Sequence, residues 1–280
     1  MNPYQYRRAK DLIVRTACVV AVVTAVIPLG LVLTYVTVQG IGGLNLSFFT
    51  QLPKPVGEVG GGMANAIFGT LEIVALASMI GVPVGVLAGV YLAEYGASTL
   101  GKVVRFAADV MSGVPSITVG LFVYGIIVLR THQFSAWAGA VALAVLMLPT
   151  VTRTSEELLK LVPNTLREAA LGLGVSRWRA TIKVVLRTAA PGIATGVMLA
   201  VARVAGETAP LLFTAFGNRF WASGINQPTA TLPVQIYTYA VSPYDDWHKQ
   251  AWTAALVLVL VVLILNFMAR WTLRHRLRAS

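Results

Sequence analysis

The chain has 280 residues, 56% of them hydrophobic and only 12% charged, against about 25% charged residues in an ordinary soluble domain. With a mean hydropathy of +0.73, a water-exposed globule is excluded, because its surface would lack polar groups that a bilayer does not require. The net charge of +11 sits between apolar runs and forms no continuous basic face, so it reads as membrane topology and argues against nucleic-acid binding.

Crossing about 30 Å of hydrocarbon takes about 20 apolar residues in a helix that rises about 1.5 Å per residue. Six runs of suitable length occur, at 17–38, 73–93, 110–129, 134–152, 188–216 and 251–269. The first follows Arg7, Arg8, Lys10 and Arg15 as a signal peptide would, but it exceeds the usual apolar region and no small-residue cleavage site follows closely. It is read as a retained span. The expected fold class is therefore an all-α integral membrane protein with six transmembrane helices. Cys18 lies inside the first run; as the one cysteine it cannot form an intramolecular disulfide and matches no metal spacing.

The intervening segments fix an orientation, since basic residues are retained on the cytoplasmic side. One side carries Arg7, Arg8, Lys10 and Arg15, then Lys102 and Arg105, then Arg153, Lys160, Arg167, Arg177, Arg179, Lys183 and Arg187, and finally Arg270, Arg274, Arg276 and Arg278. The other side carries only Lys54, Arg130, Arg219 and Lys249. Both termini are thus expected in the cytoplasm. The resulting organisation is a basic N-terminal tail (1–16), one membrane domain (17–271) and a basic C-terminal tail (272–280). Within the domain, the long segment 153–187 is polar and rich in helix formers, with Pro163 and Gly174 as breaks, and reads as short helices under the membrane. The opposite segment 217–250 holds Trp221, Tyr237, Tyr239, Tyr244 and Trp247, aromatics that settle at a membrane interface.

Several motifs carry no chemistry. Gly96-Ala-Ser-Thr-Leu-Gly101-Lys102 approaches a phosphate-binding loop, yet Val103 occupies the position of the hydroxyl that binds Mg²⁺, and no strand precedes it. Asn45-Leu46-Ser47 has the glycosylation spacing, without other signs of a eukaryotic secretory protein. His132, His248 and His275 are scattered, and neither a catalytic constellation nor a metal cluster is expected. Glu72, near the start of the second span, is read as an interfacial residue, with a place on the pathway as the alternative, and Pro115-Ser116, at the start of the third, as a helix start.

Two segments are informative. The first is Glu168-Ala169-Ala170-Leu171-Gly172-Leu173-Gly174, followed by Val184, Val185 and Leu186: a short amphipathic helix closed by glycine outside the membrane can dock in a groove on a partner. It resembles the EAA loop of the permease subunits of ATP-binding-cassette importers, although Arg187 stands where a proline is common and the proline comes at Pro191. The second is Ala202-Arg203-Val204-Ala205-Gly206-Glu207-Thr208-Ala209-Pro210. With Gly60 to Leu71, Tyr91 to Gly96 and Ser112 to Ile117, it is similar to the PstA-type permeases of bacterial phosphate importers. That resemblance implies a MetI-like permease core with an added N-terminal helix in the bacterial inner membrane. It also implies a PstC-type permease subunit, a PstB-type ATPase dimer that binds the ATP and Mg, and a PstS-type phosphate-binding protein as partners, with no cofactor in this chain.

Arg203 and Glu207 are spaced to share one face of the fifth span. A mid-membrane arginine costs about 2.5 to 3.5 kcal/mol on insertion scales, so it should face a polar pathway or a partner. A guanidinium offers paired donors to an oxyanion, and Glu207 would orient or compensate it. The expected function is transmembrane passage of phosphate, with Glu168, Ala169, Ala170 and Gly174 in the ATPase-coupling loop. Sulfate or molybdate as substrate, a structural ion pair at Arg203, a secondary transporter and a non-transporting scaffold or nutrient sensor remain as alternatives.

Overall fold

The computed structural model describes residues 3–58 and 60–278, leaving aside the side chains of residues 5, 6, 9 and 268–278. The four C-terminal arginines used for topology therefore lie outside the described side chains. Helices account for all regular structure among the described residues. They run α1 (Pro3–Ile41), α2 (Leu46–Thr50), α3 (Ala64–Tyr95), α4 (Thr99–Gly113) and α5 (Ser116–Val123), which continues through a π turn (Tyr124–Val128) into α6 (Leu129–Thr131). Next come α7 (Ala136–Lys160), α8 (Asn164–Gly172), α9 (Arg177–Ala180) and a second π turn (Thr181–Val185) entering α10 (Leu186–Ala205). The chain ends in α11 (Ala209–Thr214), α12 (Leu232–Ala240) and α13 (Asp245–Arg278).

Five stretches are long and apolar enough to cross a bilayer: Lys10–Ile41, Ala64–Tyr95, Ala136–Lys160, Arg177–Ala205 and Asp245–Phe267. A broken pair, Thr99–Gly113 and Ser116–Thr131, bent by 107°, is apolar enough to make a sixth span when its two halves are taken together. The continuous span expected at 110–129 is therefore corrected. The cause is Pro115, which disfavours helical geometry at the residue before it and leaves Val114 extended at φ −73° and ψ 129°. Residues 110–113 finish α4, a separate helix begun by Ser98, whose Oγ accepts the Gly101 N–H at 3.0 Å. The apparent phosphate loop at 96–103 is simply this helix start. Elsewhere the helices outrun the apolar stretches that announced them: α7 continues to Lys160, and the fifth span starts at Arg177 instead of 188.

Helix α7 is the centre of the bundle, and glycines bring its neighbours against it. Gly81, Gly85 and Gly89 form a stripe at four-residue spacing on α3, the small-residue pattern that lets membrane helices approach closely. A Cβ at Gly85 would lie 2.8 Å from the Val151 Cβ, and one at Gly81 3.2 Å from the Ala144 carbonyl oxygen. On α10, Gly192 sits against Leu158. Ile73, Ala77, Leu143, Met147, Val151, Ala200, Val204 and Leu211 form the apolar core between these helices. The segment 217–250 does more than rest at an interface: Leu232 N donates to Thr70 Oγ1 at 2.8 Å, and Tyr239 stacks on Trp247 at 4.3 Å. Helix α1 stands apart, its apolar window wholly unburied by the rest of the chain, and meets α13 where Tyr35 packs edge-on to Trp252.

Candidate functional site

The Ala205-Gly206-Glu207-Thr208-Ala209-Pro210 segment cannot remain one helix. Pro210 has no N–H to donate back to Gly206, and glycine weakens the turn before it. Helix α10 accordingly stops at Ala205, tightened by Gly206 N to Arg203 O at 3.2 Å and Glu207 N to Val204 O at 3.1 Å, and α11 restarts at Ala209. The expectation that Arg203 and Glu207 share a face of a continuous helix is corrected, because the break lies between them. Freed backbone groups at membrane depth are tolerated only inside protein or beside water.

The register against α7 fixes the depth of this break. Gly192 lies beside Leu158 near one end of α7, and Leu211 lies beside Gly139 near the other. Val204 shares the core with Met147, so Arg203 stands close to the middle of the bundle. Its side chain is exposed on the surface of this chain, next to exposed Leu199 one turn away, while Glu207 is half-buried. Among the described residues, neither side chain has an ion pair or hydrogen-bond partner. Glu207 is thus not holding the Arg203 guanidinium, and the cation is presented outward at mid-depth.

The other predicted residues lie at the basic end of the bundle, on α8. Glu168 and Ala169 are exposed, whereas Ala170 is buried and anchors the helix. Gly174 terminates it: Val175 N reaches back to Ala170 O at 3.1 Å and Gly174 N to Leu171 O at 2.9 Å, with Gly174 at φ +76°. This is the six-to-one and five-to-two bond pair that places a left-handed residue just past a helix end, where glycine has no Cβ penalty. Leu166, Leu171, Leu173, Trp178 and Ile182 remain exposed around it. The result is a set of exposed apolar side chains, termed the ridge, running from the well-terminated α8 through Leu173 to α9 and the π turn after it.

Sequence reasoning missed the polar framework behind this ridge. Glu156, only 1% exposed, accepts from Arg105 Nη2 at 2.5 Å and Lys160 Nζ at 2.5 Å, and pairs with Arg153 at 3.3 Å. Arg153 also pairs with Asp109. Helix α4 is thereby tied to the last turns of α7. The spacing of Arg153, Glu156 and Lys160 signalled an ion-paired helix face, but nothing local indicated that Arg105 would close it.

Comparisons with known proteins identify the family. Residues 81–277 match the family model described as binding-protein-dependent transport system inner membrane component. The chain belongs to this family of permease components. It is 46% identical over 266 residues to a phosphate transport system permease protein PstA from Yersinia pestis, covering 95% of this chain and 90% of that one. To a PstA of Xylella fastidiosa (strain 9a5c) it is 49% identical over 234 residues, covering 83% and 81%. Among solved structures, a chain of the inward-facing MetNI methionine ABC transporter superposes with a TM-score of 0.59 at 21% identity, covering 75% of this permease and 94% of that chain. That likeness establishes the MetI-like fold.

Proposed function

We propose that this permease is the membrane subunit through which inorganic phosphate enters the cell in an ATP-driven importer. The observation that carries the reading is Arg203: a cation at mid-depth, beside a helix break, with no carboxylate paired to it among the described residues. A guanidinium presents planar paired donors that match the oxygens of a tetrahedral oxyanion, and relatives at up to 49% identity are named for phosphate transport. Because Arg203 opens onto the surface of a single chain, the pathway is completed by a second, PstC-type permease subunit packed against that face.

The α8 ridge fits a groove on a PstB-type ATPase, which binds the ATP and Mg and supplies the movement. Glu168 and Gly174 position the ridge, and neither performs chemistry. A PstS-type protein delivers phosphate at the opposite end. The basic-residue bias supports a cytoplasmic location for both termini and α8, with the spans in a bacterial inner membrane. In this assembly 17–271 is the permease domain, 153–187 its coupling loop, and 1–16 and 272–280 basic tails. Hydrolysis of ATP is assigned to the PstB-type partner and not to this permease. Energised uptake of phosphate, sulfate and molybdate into vesicles holding the assembled complex, with and without its ATPase, tests the reading. ATP-dependent entry of phosphate alone is expected; preference for sulfate or molybdate, or entry without the ATPase, contradicts it.

A further inference from the structure

One carboxylate at the basic end belongs neither to the Arg203 region nor to the exposed ridge. Glu94 lies in the last turn of α3, with a side chain only 9% exposed. Its Oε1 faces Arg167 Nη2 of α8 at 3.3 Å, and its Oε2 faces Arg177 Nε of α9 at 3.8 Å. Arg177 also reaches the Glu94 carbonyl oxygen at 3.4 Å and lies 5.3 Å above the centre of the Tyr95 ring. Arg167 donates in addition to the carbonyls of Leu159, at 3.0 Å, and Val162, at 3.1 Å, which end α7. One carboxylate therefore joins the end of α3 to both short helices, and through Arg167 to the end of α7. A cavity of about 260 Å³ opens beside it, lined by Glu94, Arg167, Glu168 and Arg177 among others.

We propose that Glu94 is a positioning residue that carries displacement of the α8–α9 segment into α3, and so into the spans; this rests on the importer reading above. The covalent route from α8 to α7 passes through 161–163, with Leu161 and Pro163 exposed, and α9 runs through a π turn into the fifth span, so neither route reaches α3. The Glu94 carboxylate does, because its side chain is shielded and a shift of α8 that removed Arg167 would strand it without its closer cation. Helix α3 then moves α7 directly, since the Gly81, Gly85 and Gly89 stripe leaves no slack between them.

The test compares wild type with Glu94→Gln in the complete transporter, reconstituted in vesicles. Phosphate taken up per ATP hydrolysed is measured, together with the distance between spin labels at Ala97→Cys and Thr165→Cys, both exposed and outside the ridge, in a Cys18→Ser background. The glutamine keeps the shape and removes the charge. Uptake per ATP should fall at least tenfold, and the label distance, narrow and constant through the ATPase cycle in wild type, should broaden when nucleotide is trapped. A normal ratio, or uptake and hydrolysis falling in proportion with an unchanged distance, overturns the proposal. Wild-type vesicles that take up no phosphate contradict the substrate reading alone, because the label distance still reports whether Glu94 holds the two segments together.

Discussion

Arg203 and Glu207, four residues apart, stand on opposite sides of a helix break and do not pair. A structural ion pair would have locked both charges inside the chain. Here the cation faces outward and the carboxylate stays half-buried, so each is available to something that this chain does not supply.

The buried Glu156 should be structural. Replacing it with glutamine removes the charge that Arg105, Lys160 and Arg153 share and turns the oxygen facing Arg153 into a donor, which weakens the tie between α4 and α7. A loss of about 1–3 kcal/mol, in the range for leaving buried polar partners unsatisfied, is expected. It would be measured as a lowered unfolding midpoint of the detergent-solubilised protein. Glu157→Gln, without that network, should shift it little.

Close packing along α3 makes an equally direct prediction. A Cβ at Gly85 would meet the Val151 side chain at 2.8 Å, and overpacked cores typically lose about 1–3 kcal/mol. Gly85→Val should therefore reduce the folded yield in membranes, assayed by protease resistance, whereas Gly30→Ala, with nothing within 4 Å of the added atom, should have no effect.

For the coupling ridge, Glu168→Lys and Gly174→Asp should each lower uptake and co-purification with the ATPase while membrane insertion persists. Gly174 sits at φ +76°, where a side chain costs about 1 kcal/mol or more, so the aspartate also disturbs the helix end. Normal uptake and normal co-purification in both variants would remove the ridge from the mechanism.

Topology can be read separately. Labels attached at the two chain ends should report the cytoplasm, and a label at Asn226 the opposite side. Accessibility of a terminal label from outside would contradict the orientation drawn from Lys and Arg.

Apolar runs revealed the spans because hydrocarbon demands them over a whole crossing, and the Glu168 helix was legible because its glycine end is a local signal. The bend at Pro115 was less so: residues 110–113 are apolar enough to pass for membrane, and composition does not record direction. The break at Gly206 has its local signal in Gly206 and Pro210, yet the i, i+4 spacing suggested a pair that the broken helix does not form. Glu94 and Arg105 were silent because their partners lie far along the chain, at Arg167 and Arg177 for one and Glu156 for the other. Charge pairs of that kind emerge only when the helix ends come together.

The most direct measurement is phosphate uptake by the reconstituted complex carrying Arg203→Gln, alone and with Glu207→Gln, alongside assembly and ATPase docking. Since neither residue has a partner among the described residues, both variants should assemble like wild type. Each should lose phosphate uptake by at least tenfold. A well-assembled double variant that takes up phosphate at the normal rate would contradict the account of this site.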